Sequence, residues 1–193
     1  TPVACALSGG ADSTALVALA AHHGLSVTAH HVDHGLRPGS AGEAGQAAAI
    51  ATALGAGFVA HRVDVGTGAN LEARARAARL AVLPVGVLTG HTADDQAETV
   101  LLRLLRGAGA AGLAAIDPGP THPLLALRRS DTATVAAGVA SEHGVTLVDD
   151  PSNRDPSIRR NRVRHEVLPL LADVAARDVV PLLTRTADLL RAD

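Results

Sequence analysis

Ser8-Gly9-Gly10-Ala11-Asp12-Ser13 decides how this sequence folds. Before it lies a short apolar run, residues 3–7, which stops abruptly at Ser8 and reads as a buried strand. After it, residues 12–23 form an apolar helical stretch closed by Gly24. Two glycines flanked by serines, set between a strand and a helix, let the backbone come close to a phosphate. The helix N-terminus adds unpaired N–H groups and a favourable dipole. Ser8 and Ser13 supply hydroxyl donors. Asp12 has the wrong charge to attract a phosphate and suits a carboxylate that holds Mg²⁺ against one. The ordinary alternative is a capped strand-to-helix turn, and the doubled glycine between serines favours phosphate binding.

Outward from that turn the chain alternates. Residues 26–32 read as a strand. Ser40 and Glu43 form a capping box that opens a helix to Leu54, closed by Gly55. Residues 58–65 read as a third strand, and Asn70 caps a helix running through Leu80. Residues 85–88 read as a fourth strand, and 93–106 as a helix ending at Gly107, with Leu101, Leu102, Leu104 and Leu105 in the core. This βαβα rhythm predicts a doubly wound, Rossmann-like parallel sheet with helices on both faces. Residues 107–119 read as a Gly/Ala-rich loop, 132–143 as a helix, 145–148 as a short strand, and 159–171 and 179–191 as helices. The best boundary lies near 169–178, which divides a catalytic domain, 1–172, from the truncated start of a helical extension, 173–193. Both ends read as trimmed, since Thr1 almost abuts a strand and Asp193 falls inside a helical pattern.

Composition narrows the function. Hydrophobic residues make up 47% of the 193, but aromatics only 1%, so Ala, Val, Leu and Ile must build the core and bases have little to stack on. All 17 basic residues are arginine, which excludes the lysine of a Walker A loop. The net charge of −2 argues against a general polyanion binder. The single cysteine, Cys5, excludes a disulfide framework and a cysteine zinc cluster, and its apolar run makes it a buried strand residue. With no apolar run long enough to span a membrane and no signal peptide visible, a cytoplasmic location is expected.

Three further stretches carry chemistry. His31-Val32-Asp33-His34-Gly35-Leu36-Arg37 ends the second strand, and ligands of open α/β sheets bind beyond the carboxyl ends of strands, which brings Asp33 and Arg37 near the phosphate turn. A zinc site on His31 and His34 is disfavoured for lack of further ligands at suitable spacing. Gly90-His91-Thr92-Ala93-Asp94-Asp95-Gln96-Ala97-Glu98-Thr99 places His91 at the end of a strand and Asp94 and Asp95 in a first helical turn. Asp94 and Glu98 share a face, as do Arg103 and Arg106 further on, in reach of a phosphate or adenylate. Asp150-Pro151-Ser152-Asn153 precedes Arg159-Arg160-Asn161-Arg162-Val163-Arg164-His165, where Arg160/Arg164 and Asn161/His165 are each four apart. Such a run is usually a solvated face, but four arginines in six residues of a near-neutral chain favour a polyanion contact.

The first loop resembles the SGGxDS loop of the N-type ATP pyrophosphatases. Taken in order, ALSGGADS, HVDHGLR, GHTADDQAETVLLRLLRG, DPSN and RNRVRHEVLPLL resemble the tRNA(Ile)-lysidine synthetase family from Cys5 to about Leu171. The resemblance implies a ligase that forms a carbon–nitrogen bond. ATP, with Mg²⁺, adenylates the wobble cytidine of tRNA(Ile), and free L-lysine displaces AMP to give lysidine. It implies that Ser8, Gly9, Gly10, Ala11, Asp12 and Ser13 cradle the pyrophosphate, with Asp12 placing Mg²⁺. Asp12, Asp33, Arg37, His91, Asp94 and Asp95 would form the reaction centre. Arg103, Arg106, Asn153, Arg160, Asn161 and Arg164 would meet tRNA or the adenylate. Alternatives are a thiolation-type tRNA-modifying ATP pyrophosphatase and a non-catalytic nucleotide-binding module. The oligomeric state stays open, a homodimer included. The stretch 80–87 is shorter than is usual in the family, and members usually carry further C-terminal domains that grip tRNA.

Overall fold

The computed structural model describes residues 1–33, 35, 40–66 and 71–192. They group into two compact units, Thr1–Gly90 with Ser130–Asp149, and His91–Arg129 with Asp150–Asp193. The range 169–178, expected as a boundary, lies within the second unit.

The first unit is built on three parallel strands, β1 (Pro2–Ala6), β2 (Ser26–Asp33) and β3 (Gly57–Arg62), in the order β1-β2-β3. Inward residues alternate along β2, so Val27, Ala29 and His31 are buried while their neighbours are less so. α1 (Ala11–His22) follows β1 and α2 (Ser40–Ala53) follows β2, and α1 buries Leu16 and Val17 where α2 buries Ala47, Ile50 and Ala51. Right-handed crossovers put these two helices on one face. The connection through α3 (Leu71–Val82) returns across the sheet to the far side of β1, which the same rule assigns to the other face. The capping roles expected of Ser40 and Asn70 concern groups outside those described.

The expected strand at 85–88 is reduced to one bridge. The Leu88 N–H donates to the Ala4 carbonyl, and the Ala6 N–H donates to the Leu88 carbonyl, both at 2.8 Å. Pro84 and Gly86 turn the chain there and leave Val85 in solvent, so only Leu88 is left to pair. Among the described residues 145–148 forms no strand. Its one tie of this kind is the Val148 N–H, which donates to the Gly9 carbonyl at 2.9 Å.

The second unit is helical. α4 (Ala93–Leu104) is followed by the short α5 (Ala110–Leu113), and α6 (Arg129–His143) begins in this unit and continues in the first. A 3-10 turn (Pro151–Arg154) leads into α7 (Arg159–Arg162), a π-helical segment (Val163–Val167), α8 (Leu168–Ala175) and α9 (Val180–Ala192). The single helix expected over 159–171 therefore contains a π segment, closed by the Leu168 N–H on the Val163 carbonyl. Ala93, Ala97 and Leu101 of α4 form a core with Val163, Leu168, Val179 and Val180. Leu104 and Leu105 are exposed, at 56% and 73%, contrary to their expected place in the core. They belong to the last turn of α4 and its cap, past the point where Val163 and Val180 cover the stripe. No helix among the described residues is long and apolar enough to cross a membrane.

Candidate functional site

The turn after β1 is a backbone device. Gly10 caps α1 with no side-chain hydrogen bond, so no side chain competes for the N–H groups of the first turn. Ser8 and Ser13 hold the turn together, with their hydroxyls 3.0 Å apart, the Ser13 hydroxyl on the Gly10 carbonyl and the Ser8 N–H on Ser13 Oγ. Gly9 sits at φ +87°, and a Cβ there would stand 2.5 Å from Val148 Cγ2. Gly90 is equally constrained, since its Cβ would meet the Asp12 carbonyl oxygen at 2.7 Å. Two chain segments thus press on the turn so closely that only glycine fits. Asp12 accepts a short hydrogen bond from the buried hydroxyl of Thr132. Thr132 and Val148 are not legible in the sequence as parts of this site, because each reaches it from more than a hundred residues away.

At the same edge of the sheet, His31 is buried and its Nδ1 bonds the Leu7 carbonyl at 2.9 Å, so it braces the strand ends. Asp33 ends β2 and accepts the Gly35 N–H at 2.8 Å. Arg37 lies outside the described residues. The parallel sheet order thus brings Asp33 to the edge where the phosphate turn emerges, as the strand pattern implies. Cys5 is buried, and burial pushes its thiol up to about 11.

The second unit gathers charge. Asp95 and Thr92 form the capping box of α4, with Asp95 Oδ2 accepting the Thr92 N–H at 2.9 Å and its hydroxyl at 3.0 Å. The other oxygen of Asp95 accepts from Arg129 and Arg160, each at 3.1 Å. Glu98, fully buried, accepts from Arg129 at 3.0 Å, from Arg160 Nε at 2.7 Å and from both forks of Arg164, at 2.7 and 3.1 Å. Three guanidinium groups therefore meet two carboxylates, and each arginine keeps between 22% and 29% of its side chain in solvent. Asp94 turns to other partners, namely both forks of Arg128 at 3.1 Å and the Arg129 N–H at 2.8 Å. Arg128 also makes a short contact with Asp178.

Burial alone would raise both aspartates, but the ion pairs outweigh it. Asp94 lies below the usual range through its hydrogen bonds with Arg128 and the Arg129 N–H. Asp95 does so through the charges of Arg129 and Arg160 and the Thr92 N–H. Both stay ionised beside their arginines.

The remaining expected residues scatter. His91 lies 5.1 Å from His122, ring to ring. Arg103 donates to the Gly112 carbonyl at 2.6 Å and so holds the Gly-rich loop. Asn161 is buried and donates to the carbonyls of Ser152, at 2.6 Å, and Asp155, at 2.9 Å, pinning the 3-10 turn. Asn153 offers its carbonyl to His165 at 3.1 Å. Arg106 lines a surface groove. Arg128 and Arg129 are members of this charge cluster that sequence reasoning misses. The only signal for them is two adjacent arginines just ahead of a Ser-Asp-Thr helix start, with nothing to say which acids they find.

A family described as a PP-loop domain matches residues 1–171. The chain belongs to the PP-loop family. The tRNA(Ile)-lysidine synthase of Nocardia farcinica (strain IFM 10152) is 50% identical over 99% of this chain and 62% of its own length. The protein of that name from Mycobacterium tuberculosis (strain CDC 1551 / Oshkosh) is 48% identical over 97% of this chain and 59% of its own. The chain thus spans about three fifths of the length of these relatives. In fold it is similar to the U34-tRNA thiolase NcsA from Methanococcus maripaludis, with a TM-score of 0.68 and 16% identity over 98% of this chain and 72% of that one. NMN synthetase from Francisella tularensis follows, with a TM-score of 0.55 and 14% identity over 98% of this chain and 86% of that one. These likenesses bear out the expected ATP-pyrophosphatase fold.

Proposed function

We propose that this chain is the ATP-using part of an enzyme that ligates free L-lysine to the wobble cytidine of tRNA(Ile). The observation that carries this reading is the identity of about half of all residues, across nearly the whole chain, with proteins named tRNA(Ile)-lysidine synthase. In the first step the carbonyl oxygen on the pyrimidine ring of the cytidine attacks the α-phosphorus of ATP and pyrophosphate leaves. In the second the lysine amine attacks the ring carbon, loses a proton, and AMP leaves with the oxygen. Such an enzyme would work in the cytoplasm. The segment from residue 173 on is assigned to a helical extension beside the catalytic domain.

The residues fit these roles unequally. The turn 8–13 suits the leaving pyrophosphate, because the N-terminus of α1 offers backbone N–H groups and a favourable dipole there. Mg²⁺ would be held by Asp12. No group of three candidate ligands occurs among the described residues, and none is needed, since Mg²⁺ on a nucleotide takes one or two carboxylates and the phosphates themselves. When bound, Mg²⁺ would neutralise phosphate charge. Asp33, Arg37, His91, Asp94 and Asp95 are assigned to the reaction centre, with Asp94 and Asp95 kept ionised as orienting groups. Arg106, Asn153, Arg160 and Arg164 are assigned to tRNA or the adenylate, and Arg103 and Asn161 shape the backbone beneath them. Thiol chemistry finds no support, because Cys5 is buried and held protonated.

The test is an incubation of the full-length protein with tRNA(Ile), ATP and labelled lysine. ATP-dependent label on the tRNA is expected. ATP binding without transfer would reduce the chain to a nucleotide-binding module and overturn the reading.

A further inference from the structure

The arginine-rich helix turns two different faces outward and inward. Arg160 and Arg164 point in, to Glu98. Arg159 and Arg162, three apart, line a groove of about 330 Å³ together with Arg106 from the end of α4. The floor is apolar, formed by Leu102, Leu105, Val163 and Val167. Leu105 leaves 73% of its surface in water, a poor place for a leucine unless something covers it. Arg162 pairs with Glu166, both largely exposed.

We infer that this groove docks RNA, with phosphates on the arginines and a ribose or base face over Leu105. The inference rests on the tRNA reading above and locates where that tRNA would lie on the second unit. Charge complementarity decides the occupant. Three arginines line one small groove with an apolar floor, and one of them is paired with Glu166, which leaves a local excess of positive charge in a chain whose overall charge is −2 and favours a polyanion. Guanidinium forks match phosphate oxygens in pairs. An apolar floor suits sugar and base faces in a chain with almost no aromatic side chains to stack on them. Arg160 and Arg164 pair inward with Glu98 and Asp95, and Arg162 pairs with the exposed Glu166, which water screens, so Arg159 and Arg162 add an outward contact to the one assigned to Arg160 and Arg164.

The experiment compares binding of tRNA(Ile) to the full-length protein, to R106A/R159A and to L105E, across a salt series. R106A/R159A should weaken binding about tenfold and flatten the plot of log affinity against log salt by about one to two units, roughly 0.7–0.9 for each phosphate left without its arginine. L105E, at an exposed position, should weaken binding at least as much by placing a negative charge on the floor, and ATP binding should hold in L105E. If the wild type ligates lysine to tRNA(Ile) and both variants bind it with unchanged affinity and slope, the groove assignment falls while the functional reading stands. If the wild type binds no tRNA, both fall. If L105E instead lowers the melting temperature or changes the oligomeric state at unchanged tRNA affinity, a protein segment covers the groove and the RNA assignment is overturned.

Discussion

The turn after β1 and the arginine cluster around Glu98 are both proposed to meet anions, yet they are made in opposite ways. The turn contains one charged side chain, Asp12, which accepts from Thr132. It relies on two glycines, a helix N-terminus and hydroxyls, and it is shaped by backbone packed too closely for any other residue. The cluster is made of charge, three arginines on two carboxylates, one of them fully buried. A site of the first kind is preorganised by sterics and fails by clash. One of the second kind is preorganised by mutual neutralisation and fails when one partner is withdrawn.

The largest effect should come from Glu98→Gln. It removes the buried charge that Arg129, Arg160 and Arg164 share, and a broken buried ion pair costs about 3–5 kcal/mol. Denaturant unfolding should show a loss of that order. Stability within about 1 kcal/mol of wild type would mean that the arginines are held by something other than Glu98.

Gly9→Ala should come next and act on function. The new methyl would meet Val148 at 2.5 Å, on a backbone at φ +87° that alanine disfavours by about 1–2 kcal/mol. ATP affinity should fall tenfold or more. Adding Val148→Ala relieves the clash but not the backbone strain, so the double variant should recover only part of the loss. Full recovery would show that φ at Gly9 is immaterial, and no recovery that Val148 is.

These two sites also differ in how far the sequence discloses them. The phosphate turn is legible because its parts are contiguous: strand, two glycines, serines and helix within about a dozen residues. What no local pattern announces is Gly90 as a packing position, or Thr132 and Val148, all of them distant partners. The cluster is half legible. Density and helical position single out Asp94, Asp95, Arg160 and Arg164, but helical spacing matches Asp94 with Glu98, whereas the fold gives Asp94 to Arg128 and joins Asp95 to Glu98. Spacing tells which residues share a face and not which arginine will arrive there from thirty or sixty residues on. The strand expected at 85–88 fails for a local reason, since Pro84 and Gly86, two apart, outweigh the apolar residues Val85, Val87 and Leu88. Leu104 and Leu105 fail as core residues because amphipathic periodicity does not say where the partner surface ends.

Acid should separate the two sites further. Asp94 and Asp95 are held below the ordinary range in the folded chain. Each therefore contributes stability above the unfolded value, near pH 4, and loses it as pH falls through the lowered folded value. Urea unfolding at a series of pH values should show stability falling below about pH 4. Asp94→Asn should be less stable at neutral pH, with a flatter acid limb. An unchanged limb in that variant would assign the acid sensitivity to other carboxylates.

The smallest effect is the sharpest control on the electrostatic argument. Glu166 and Glu98 both take an arginine of the same helical stretch, at similar distances: Arg162 to Glu166 at 2.9 Å, Arg160 to Glu98 at 2.7 Å. They differ in surroundings, for Glu166 is half exposed and Glu98 is not exposed at all. Water screens the outer pair and can solvate whichever partner is left, so Glu166→Gln should leave the melting temperature where it was, at any salt concentration. The same change frees Arg162 on the rim of the groove and removes the acid nearest to it. Affinity for tRNA(Ile) should then rise slightly and its salt dependence steepen by a fraction of one phosphate's share, about 0.7 or less. A drop in melting temperature approaching that of Glu98→Gln would show that the geometry of the pair, and not burial, sets its strength. Weaker tRNA binding would show that Glu166 holds Arg162 in its working position instead of competing for it.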